Sequence, residues 1–588
     1  MASVDRKTGQ PDRAVPTWGD AEALRTYQPG REAPGVFWFR DDLHNPYPVT
    51  PLGMSTVNRG HMWGFAVAAE EVQVPPSRGA LIKTYGQRVY LGFTNITDPE
   101  EIGRRAQKFG PYVGRSITDW NEFYGECRRE GKELTLANIA VDRAALSNAE
   151  LAAHLRTCYQ TLMRCWHFHF KTMYVAYATY MAGEQFVKRF GTDEKDYTTM
   201  LKGFDTIATA SDRGQYELCR AAMESPVVHA VLEGQESSAS VPGVLAASDE
   251  GRTWLDQLQA YLDDYGHRLA AAILDVNHPT WHEDPTPVVE NVRQMMSKKA
   301  TGWDFEEERR ETVRQREEAA AAFRAELGQE DREAFDQGLP SWQRGYAYGE
   351  DHWYYWEQVA YSGIRYAALE TARRLVDLDI IDTTDDVFNL TWAELLETLD
   401  AVAEDETPAS YMYAHLLRPL LAQRAELMAQ AATDKGPAFL GSIPDSDVDP
   451  IAIKVFGLTE TLFEKARREL AGEKEEETLR FEGFPGAPGV VEGIATVVLE
   501  PDGFAKVKVG GILVCPFTSP AWTPLFPKIR AIVTDSGGML THAAVAAREY
   551  GVPAVVGTWK ATTTIRDGDL IRVDGTNGVV EVLERAAG

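Results

Sequence analysis

Two patterns of apolar residues divide the chain. From about residue 145 to 235 and again from 250 to 435, apolar side chains recur at steps of three, four or seven, as at Leu151, Leu155, Leu162, Trp166 and Phe170. This spacing places them on one face of an α-helix. The pattern therefore predicts a large, mainly α-helical region. The run from Leu81 to Leu91 instead predicts a small β element, a hairpin that turns at Gly86 and Gln87.

The last hundred residues follow a different pattern, with short apolar runs separated by Gly and Pro. Ala531 to Thr534 reads as a strand, Gly537-Gly538 as a turn, and Leu540 to Tyr550 as a helix that stops before Gly551-Val-Pro553. This order places His542 in the first turn of a helix, directly after a Gly-rich turn.

These patterns predict an α+β protein of several domains, because 588 residues exceed what one hydrophobic core holds. A Pro-rich arm is expected over residues 1–45, with Trp38 and Phe39 as packing anchors. A mainly helical domain that binds the acceptor follows over 46–440. A highly charged stretch near 471–478 places a linker within 441–482. The C-terminal α/β domain covers 483–588, and the linker would let it move.

Composition narrows the class of protein. Hydrophobic residues make up 44% and charged residues 25% of the chain, and no apolar run approaches twenty residues, so no membrane span is expected. The first residues have no apolar core behind their charges, which argues against a signal peptide and favours the cytoplasm. The five cysteines have neither close pairing nor histidines at metal spacing, so we expect reduced thiols and no metal site.

The formal charge of −28 repels nucleic acids and anionic membranes, so neither is expected as a partner. Phosphate-bearing ligands would need locally concentrated cations. The stretch from Phe305 to Phe335 is dense in Glu and Arg and reads as a solvated helix without chemistry.

The position of His542 suits a histidine that carries a phosphoryl group. Free N–H groups and the positive end of the helix dipole disfavour the imidazolium form and stabilise an anion. Gly537 and Gly538 let backbone N–H groups approach it, and Arg548 could add a cation. The alternative is a histidine that caps the helix or makes a buried hydrogen bond, and for a lone histidine that alternative would be favoured.

The motifs around His542 instead favour a histidine that carries a phosphoryl group. Several motifs occur in the order typical of one family: Gly483-Phe-Pro-Gly-Ala-Pro-Gly489, Ile512 to Pro524, the segment Asp535 to Gly557, and Asp567-Gly-Asp569 with Val573-Asp-Gly575. This stretch resembles the swivelling phosphohistidine domain of the phosphoenolpyruvate-utilising enzymes. The resemblance implies that His542 is the phosphorylated nucleophile and that Thr541 is its usual small hydroxyl neighbour.

A phosphohistidine needs a phosphoryl donor. The chain shows no Walker-type loop, no stretch resembling the ATP-grasp half of these enzymes, and no C-terminal barrel for phosphoenolpyruvate. We therefore expect a separate ATP-grasp-type subunit, with ATP and Mg²⁺ or Mn²⁺ bound there and no cofactor held tightly by this chain. The resemblance implies that ATP would give AMP and phosphate.

Residues 45–435 resemble, more weakly, the acceptor-binding region of rifampicin phosphotransferase and the histidine-carrying subunit of phenylphosphate synthase. The resemblance rests on Asn45 to Pro51, on Tyr265-Gly-His267-Arg268 with the residues up to Pro285, and on Gly349 to His352 with Arg365 and Arg373-Arg374. The two-component organisation favours the phenylphosphate synthase type, with phenol or a 4-alkylphenol such as 4-cresol as acceptor. The basic positions that the rifampicin enzyme has near Glu350 are acidic and aromatic here, which disfavours a macrolactam.

A phenol acceptor requires an apolar slot, a base and cations for the phosphoryl oxygens. The segment after Gly349 offers all but the cations, with His352 as the preferred base and a set of substrate-binding candidates: Glu350, Asp351, Trp353 and Tyr354. The alternative is a helix at the edge of the core with a hydrogen-bonded histidine.

Arg268 follows His267 and a glycine, so it could bind the phosphoryl group in bidentate fashion. His267 is a further catalytic candidate, and Arg365 is a further substrate-binding candidate. Trp166 is a further substrate-binding candidate, although consecutive residues of the stretch Trp166 to Lys171 face different ways on a helix, and packing is the better reading there. Lys83 and His61 are weaker candidates.

Three functions remain open at this point. The leading hypothesis is a phosphotransferase subunit that passes a phosphoryl group from His542 to a phenol. The second is a regulatory phosphocarrier that binds an aromatic ligand without turning it over. The third is transfer to a different small alcohol or acid.

Overall fold

The computed structural model describes residues 37–269, 274–404, 406–433, 436–441, 443, 455–456, 458, 460–471, 479–499, 501–518, 520–539 and 541–586. Most of the predicted arm, residues 1–36, and the charged stretch 472–478 lie outside these ranges, as does the side chain of Glu350.

The α-helices are Pro51–Gly53, Arg59–Val72, Pro99–Thr118, Trp120–Ile139, Asn148–Lys188, Glu194–Thr199, Ile207–Glu224, Pro226–Glu233, Val241–Leu245, Asp249–Tyr265, Thr286–Lys299, Phe305–Glu326, Gln329–Asp351, Ala360–Asp377, Trp392–Glu404, Glu406–Thr433, Glu460–Leu470, His542–Glu549 and Ala561–Thr564. Two π-helices cover Met54–Asn58 and Tyr354–Val359, and 3₁₀ turns cover Arg143–Ala145, Thr384–Asn389, Pro501–Lys506 and Pro520–Lys528. The strands are β1 Phe37–Arg40, β2 Ser77–Tyr85, β3 Arg88–Asn95, β4 Phe439–Gly441, β5 Arg480–Glu482, β6 Phe484–Ala487, β7 Val490–Val497, β8 Ile512–Cys515, β9 Ala531–Thr534, β10 Ala554–Val556, β11 Leu570–Asp574 and β12 Val579–Glu584.

The predicted helical region is built around the 41-residue helix Asn148–Lys188. Ser147 and Glu150 form a capping box at its start, so each satisfies a backbone N–H that the helix leaves open. The helix Arg59–Val72 lies against it at Gly64, where an added Cβ would meet the backbone of Trp166 at 2.7 Å. The two helices can therefore pack closely only because Gly64 has no side chain.

A four-stranded antiparallel sheet, in the order β2-β3-β1-β4, covers one side of this core. The predicted hairpin is present, and its turn uses positive φ at Gly86 (54°) and Gln87 (61°), as a two-residue turn of this kind requires. Residues 37–40 belong to the sheet as β1, although the sequence placed them in an arm. Their apolar side chains are the reason, since Trp38 and Phe39 are buried.

The predicted linker region also contains packed structure. The helix Glu460–Leu470 places Phe463 edge-on against Phe37, with ring centroids 5.3 Å apart. At least this part of 441–482 packs against the helical domain.

The C-terminal domain has an eight-stranded sheet in the order β5-β12-β11-β7-β8-β9-β10-β6. The four strands from β7 to β10 run parallel, and the remaining pairs are antiparallel. Apolar residues fill both of its faces, as parallel strands require. The helix between β9 and β10 begins at His542, two residues later than the sequence indicated, because Thr541 is extended (φ −78°, ψ 158°).

The two domains touch at several points. Ser536 donates a hydrogen bond to the carbonyl oxygen of Asp42 at 3.2 Å, and the hydroxyl of Tyr47 donates one to the carbonyl oxygen of Leu499 at 3.1 Å. These contacts hold His542 against the helical domain. Among the described helices, none is both long and apolar enough to cross a membrane.

Candidate functional site

His542 is the first residue of its helix, at the carboxyl edge of the parallel strands. Gly537 has a φ of 110°, a conformation that a residue with a Cβ rarely adopts. The hydroxyl of Thr541 donates a hydrogen bond to the carbonyl oxygen of Gly538 at 2.8 Å, which fixes the turn just before the histidine. The first N–H groups of the helix lack acceptors within the helix. This is the local geometry of an anion site.

Burial, together with the positive charge of Arg268, lowers the pKa of His542 to about 3. The imidazole is therefore neutral at physiological pH, so one ring nitrogen keeps a lone pair for nucleophilic attack. The sequence predicted a neutral histidine from the helix terminus alone. The structure adds burial and a neighbouring guanidinium as causes.

A cavity of about 170 Å³ lies between His542 and the helical domain. Its charged lining residues are Asp212, Arg268, Lys298, Glu308, Arg309 and Glu549. Its aromatic lining residues are Phe204, Trp281, Trp303, Phe305, Tyr346 and Tyr550. Aromatic faces beside a few convergent polar groups are typical of a site for a small molecule.

Arg268 is one of the cations that line the cavity beside His542. Its side chain packs against three aromatic rings, with its Cζ at 4.4 Å from the ring centroid of Trp281, 5.0 Å from Trp353 and 5.5 Å from Tyr354. The residue is only 5% exposed, and its Nε and Nη2 have no hydrogen-bond partner among the described residues. A buried guanidinium with open N–H groups is a strong attractor for an anion.

A second arginine and two of the three carboxylates interact on the polar side of the cavity. Arg309 lies 3.9 Å from Glu549, so this ion pair joins the helical domain to the helix of His542. Burial raises the pKa of Asp212 to about 6, although Arg268 and Arg309 oppose the rise. Asp212 therefore changes charge close to neutral pH, as a catalytic base does.

His352, the preferred base from the sequence, does not line this cavity. Its Nδ1 lies 2.7 Å from the carbonyl oxygen of Tyr348, and its ring centroid lies 4.5 Å from that of His169. It faces His169 and Glu357 inside the helical core. Its neighbours Trp353 and Tyr354 are connected to the cavity only by packing against Arg268.

The other acceptor-site candidates have structural partners away from the cavity. Asp351 accepts hydrogen bonds from the Tyr124 hydroxyl and the Ile207 N–H. Arg365 forms an ion pair with Glu283 at 2.8 Å. Two further candidates also have partners elsewhere: Nδ1 of His267 lies 3.1 Å from the Tyr366 hydroxyl, and Trp166 is stacked on Phe170 in the core.

Arg548 supports the turn rather than the cavity. It donates a hydrogen bond to the carbonyl oxygen of Met539 at 2.7 Å, across the loop that precedes His542. Its assignment as a phosphoryl-stabilising cation stays a prediction, as do the corresponding assignments of Gly537, Gly538 and Thr541.

Sequence reasoning missed Asp212 and Arg309. Asp212 lies in the helix Ile207–Glu224 without a motif around it. Arg309 lies in the first turn of the helix Phe305–Glu326, which the sequence assigned to solvent. That assignment was wrong for the first turns, because Phe305, Glu308 and Arg309 face the cavity. In the sequence, only the apolar residue Phe305 at the start of this helix indicated that this end packs against the rest of the protein.

Comparison with known proteins gives a match in each of the two regions that meet at the cavity. Residues 507–578 match the family described as PEP-utilising enzyme, mobile domain. Residues 167–350 match the rifampicin phosphotransferase fourth domain. The first match contains His542, and the second contains Asp212, Arg268 and Arg309. The chain therefore contains a segment similar to the mobile domain of PEP-utilising enzymes and a region similar to rifampicin phosphotransferases, as predicted, whereas the relationship to phenylphosphate synthase stays a prediction.

Individual relatives agree with these matches. Chondramide synthase cmdD of Chondromyces crocatus is 30% identical over 561 residues, which is 93% of this chain and 14% of that protein. The rifampicin phosphotransferase of Streptomyces sviceus is 27% identical over 573 residues, 91% of this chain and 60% of that protein. The phosphoenolpyruvate synthase of Aeropyrum pernix is 50% identical over 99 residues, 17% of this chain and 12% of that protein. The chain thus spans less than two thirds of the length of each of these relatives.

Proposed function

We propose that the chain is a phosphotransferase that accepts a phosphoryl group on His542 and passes it to a small phenolic molecule in the cavity beside Arg268. The single observation that carries this proposal is the buried guanidinium of Arg268 in the same cavity as His542, with its Nε and Nη2 unpartnered among the described residues. A phosphoryl group on His542 would accept hydrogen bonds from these N–H groups.

The transfer step follows from the same residues. The acceptor oxygen attacks phosphorus while the bond from phosphorus to the His542 nitrogen breaks. Arg268 and Arg309 hold the equatorial oxygens, and the carboxylate of Asp212 takes the hydroxyl proton. The imidazole leaves neutral because its other nitrogen keeps a proton.

A phenol fits the cavity better than a large acceptor does. The volume of about 170 Å³ is smaller than the roughly 300–1,000 Å³ of pockets for drug-sized ligands. The rings of Trp281, Trp303 and Tyr550 would enclose an aromatic acceptor. Phenol and 4-alkylphenols such as 4-cresol are therefore the proposed substrates.

The phosphoryl donor is proposed to be a separate subunit of the ATP-grasp type that binds ATP with Mg²⁺ or Mn²⁺. His542 faces the acceptor cavity in this structure, so it must leave the cavity to meet the donor. The contacts between the two domains include the hydrogen bonds of Ser536 and Tyr47 and also apolar packing, as at Val545, so this movement has to break contacts of both kinds.

Discharge of the phosphorylated protein tests the proposed function. The chain is first phosphorylated by the ATP-binding protein with ATP and Mg²⁺, which adds about 80 Da, and is then desalted. On adding 4-cresol, we expect loss of this mass and formation of 4-cresyl phosphate. Cyclohexanol serves as the matched acceptor without an aromatic ring, and rifampicin serves as a large macrolactam acceptor.

Each outcome of that experiment separates the hypotheses. Discharge by 4-cresol alone supports the phenol transferase. Discharge by cyclohexanol but not by 4-cresol supports transfer to another alcohol and contradicts the phenol assignment. A phosphorylated protein that binds 4-cresol and keeps its phosphoryl group would instead be a regulatory phosphocarrier.

The pH dependence of discharge tests the role of Asp212. Because the pKa of Asp212 is raised to about 6, the carboxylate form grows as pH rises through 6. The discharge rate should therefore rise about tenfold per pH unit below 6 and level off above it. Asp212→Asn should discharge on the order of 10²-fold more slowly at pH 7.5 and should lose this step in the profile.

Asp249→Asn is the matched control, since Asp249 is an exposed first residue of the helix Asp249–Tyr265 and does not line the cavity. Stopped-flow measurement of single-turnover discharge gives the rates without interference from the donor reaction. An Asp212→Asn protein with the rate and profile of the wild type would exclude Asp212 as the base.

A further inference from the structure

The helical core contains a second polar cluster that the proposed transfer does not use. It consists of His169 from the helix Asn148–Lys188, His352 at the end of the helix Gln329–Asp351, and Glu357 from the π-helix Tyr354–Val359. One nitrogen or oxygen from each of these side chains lies within 4.8 Å of the other two. Three separate elements thus direct their donor atoms toward one point.

The distances suit one shared metal ion. Oε1 of Glu357 lies 3.0 Å from Nδ1 of His169 and 3.6 Å from Nε2 of His352. Ligand atoms at about 2.0–2.1 Å from a tetrahedral ion lie roughly 3.3 Å apart. The two observed distances lie on either side of that value.

The hydrogen bonding of the histidines leaves their inner nitrogens available. Nδ1 of His352 lies 2.7 Å from the carbonyl oxygen of Tyr348, which fixes the proton there and directs the lone pair of Nε2 toward Glu357. His169 is 8% exposed, and its Nδ1 has no hydrogen-bond partner among the described residues despite its closeness to Glu357.

Glu357 is a buried carboxylate. Its described ion pairs are with His169 and His352, and His44 also acts on it electrostatically. A buried carboxylate is stabilised by a cation bound directly to it. The π-helix also adds a residue to the turn that carries Glu357, a distortion often found at functional sites.

We propose that His169, His352 and Glu357 bind a divalent transition-metal ion of the Zn²⁺ or Co²⁺ type. Two imidazoles and one carboxylate select such an ion over Mg²⁺ or Ca²⁺, which prefer oxygen ligands. The site is therefore distinct from any Mg²⁺ that accompanies ATP. The sequence predicted no metal site, because the five cysteines have no pairing or histidine partner at metal spacing and His169 lies far along the chain from His352 and Glu357.

The ion would also link the core to the acceptor cavity. His352 precedes Trp353, whose ring lies 5.0 Å from the guanidinium carbon of Arg268. A metal that holds His352 in place would therefore hold the aromatic support of Arg268. This makes the three ligands positioning residues with respect to phosphoryl transfer.

Cobalt titration tests the site directly. The full chain, without a histidine tag, is stripped with a chelator, dialysed and titrated with Co²⁺. We expect uptake of one ion per chain with visible d–d absorption of a four- or five-coordinate site, and a rise in the unfolding temperature on adding Co²⁺ or Zn²⁺. His169→Ala and Glu357→Gln should each weaken Co²⁺ binding by more than about 100-fold.

His167→Ala is the matched control, because His167 lies two residues away on the same helix and pairs with Glu71 instead. It should bind Co²⁺ like the wild type. Circular dichroism of each stripped variant shows whether it is folded before titration. Absence of visible absorption and of metal uptake by the folded wild type would overturn the proposal and leave a protonated Glu357 hydrogen-bonded to neutral histidines. Equal binding by wild type and His169→Ala would do the same.

Discussion

Replacing His542 with Asn is expected to abolish both phosphorylation of the chain and formation of aryl phosphate. Asn has no nucleophilic nitrogen with a lone pair, so no covalent phosphoryl intermediate can form. Loss of a catalytic nucleophile typically lowers the rate by on the order of 10⁶-fold. Turnover should therefore fall below detection, and the intact mass should show no acid-labile gain with the donor protein, ATP and Mg²⁺.

The His542→Asn protein should keep its fold, which makes the result interpretable. Asn is tolerated at the start of a helix, where side-chain hydrogen bonding to the backbone is common. His229→Asn is the control, since His229 lies on the helix Pro226–Glu233 and pairs with Glu233 at 3.4 Å. A His542→Asn chain that still gains the labile mass would show that another residue carries the phosphoryl group.

The phosphohistidine segment could be predicted from sequence because its signals are local. The strand Ala531–Thr534, the Gly537 turn and the helix that follows are consecutive along the chain, and each has its own residue preference. In the structure the helix begins two residues later than predicted, and the strand, turn and helix otherwise follow the predicted order. The resemblance of the last hundred residues to the phosphoenolpyruvate-utilising enzymes rested on the same consecutive motifs, and the family match over residues 507–578 agrees with it.

The acceptor site was harder to predict because its residues come from distant elements. Asp212, Arg268 and Arg309 belong to three separate segments, and only tertiary packing brings them to His542. Arg268 was found because Gly266 and the neighbouring aromatic residues marked it. Asp212 and Arg309 have no such neighbours, and a charged helix gives no sign of which turn is buried.

His352 shows the limit of reasoning from neighbours in sequence. It was grouped with Trp353 and Tyr354 because the three are consecutive, yet consecutive helical residues face different directions. Trp353 and Tyr354 lie against Arg268, whereas His352 faces His169 across the core. The π-helix that begins at Tyr354 changes the direction of the following side chains, and no residue preference predicted it.

Replacing Arg268 should separate the two half-reactions. Arg268→Gln removes the cation that the transferring phosphoryl group meets in the acceptor cavity, and arginines in this role contribute about 10³–10⁵-fold to phosphoryl transfer. Discharge of phosphorylated His542 by 4-cresol should therefore slow by at least about 10³-fold. Phosphorylation by the donor should change little, because His542 then faces the donor's site. Single-turnover mass spectrometry measures both steps on the same sample.

Two further variants show whether charge or shape of Arg268 matters. Arg268→Lys keeps the charge but loses the planar fork and the stacking on Trp281, so discharge should remain on the order of 10²-fold below wild type. Arg220→Ala removes a positive charge from an exposed helix position and should leave both steps unchanged. Equal slowing of both half-reactions by Arg268→Gln, with an unchanged unfolding temperature, would contradict an acceptor-side role. That outcome would place Arg268 in a step common to both, such as docking of the mobile domain, and the cavity would then lose its assigned phosphoryl site.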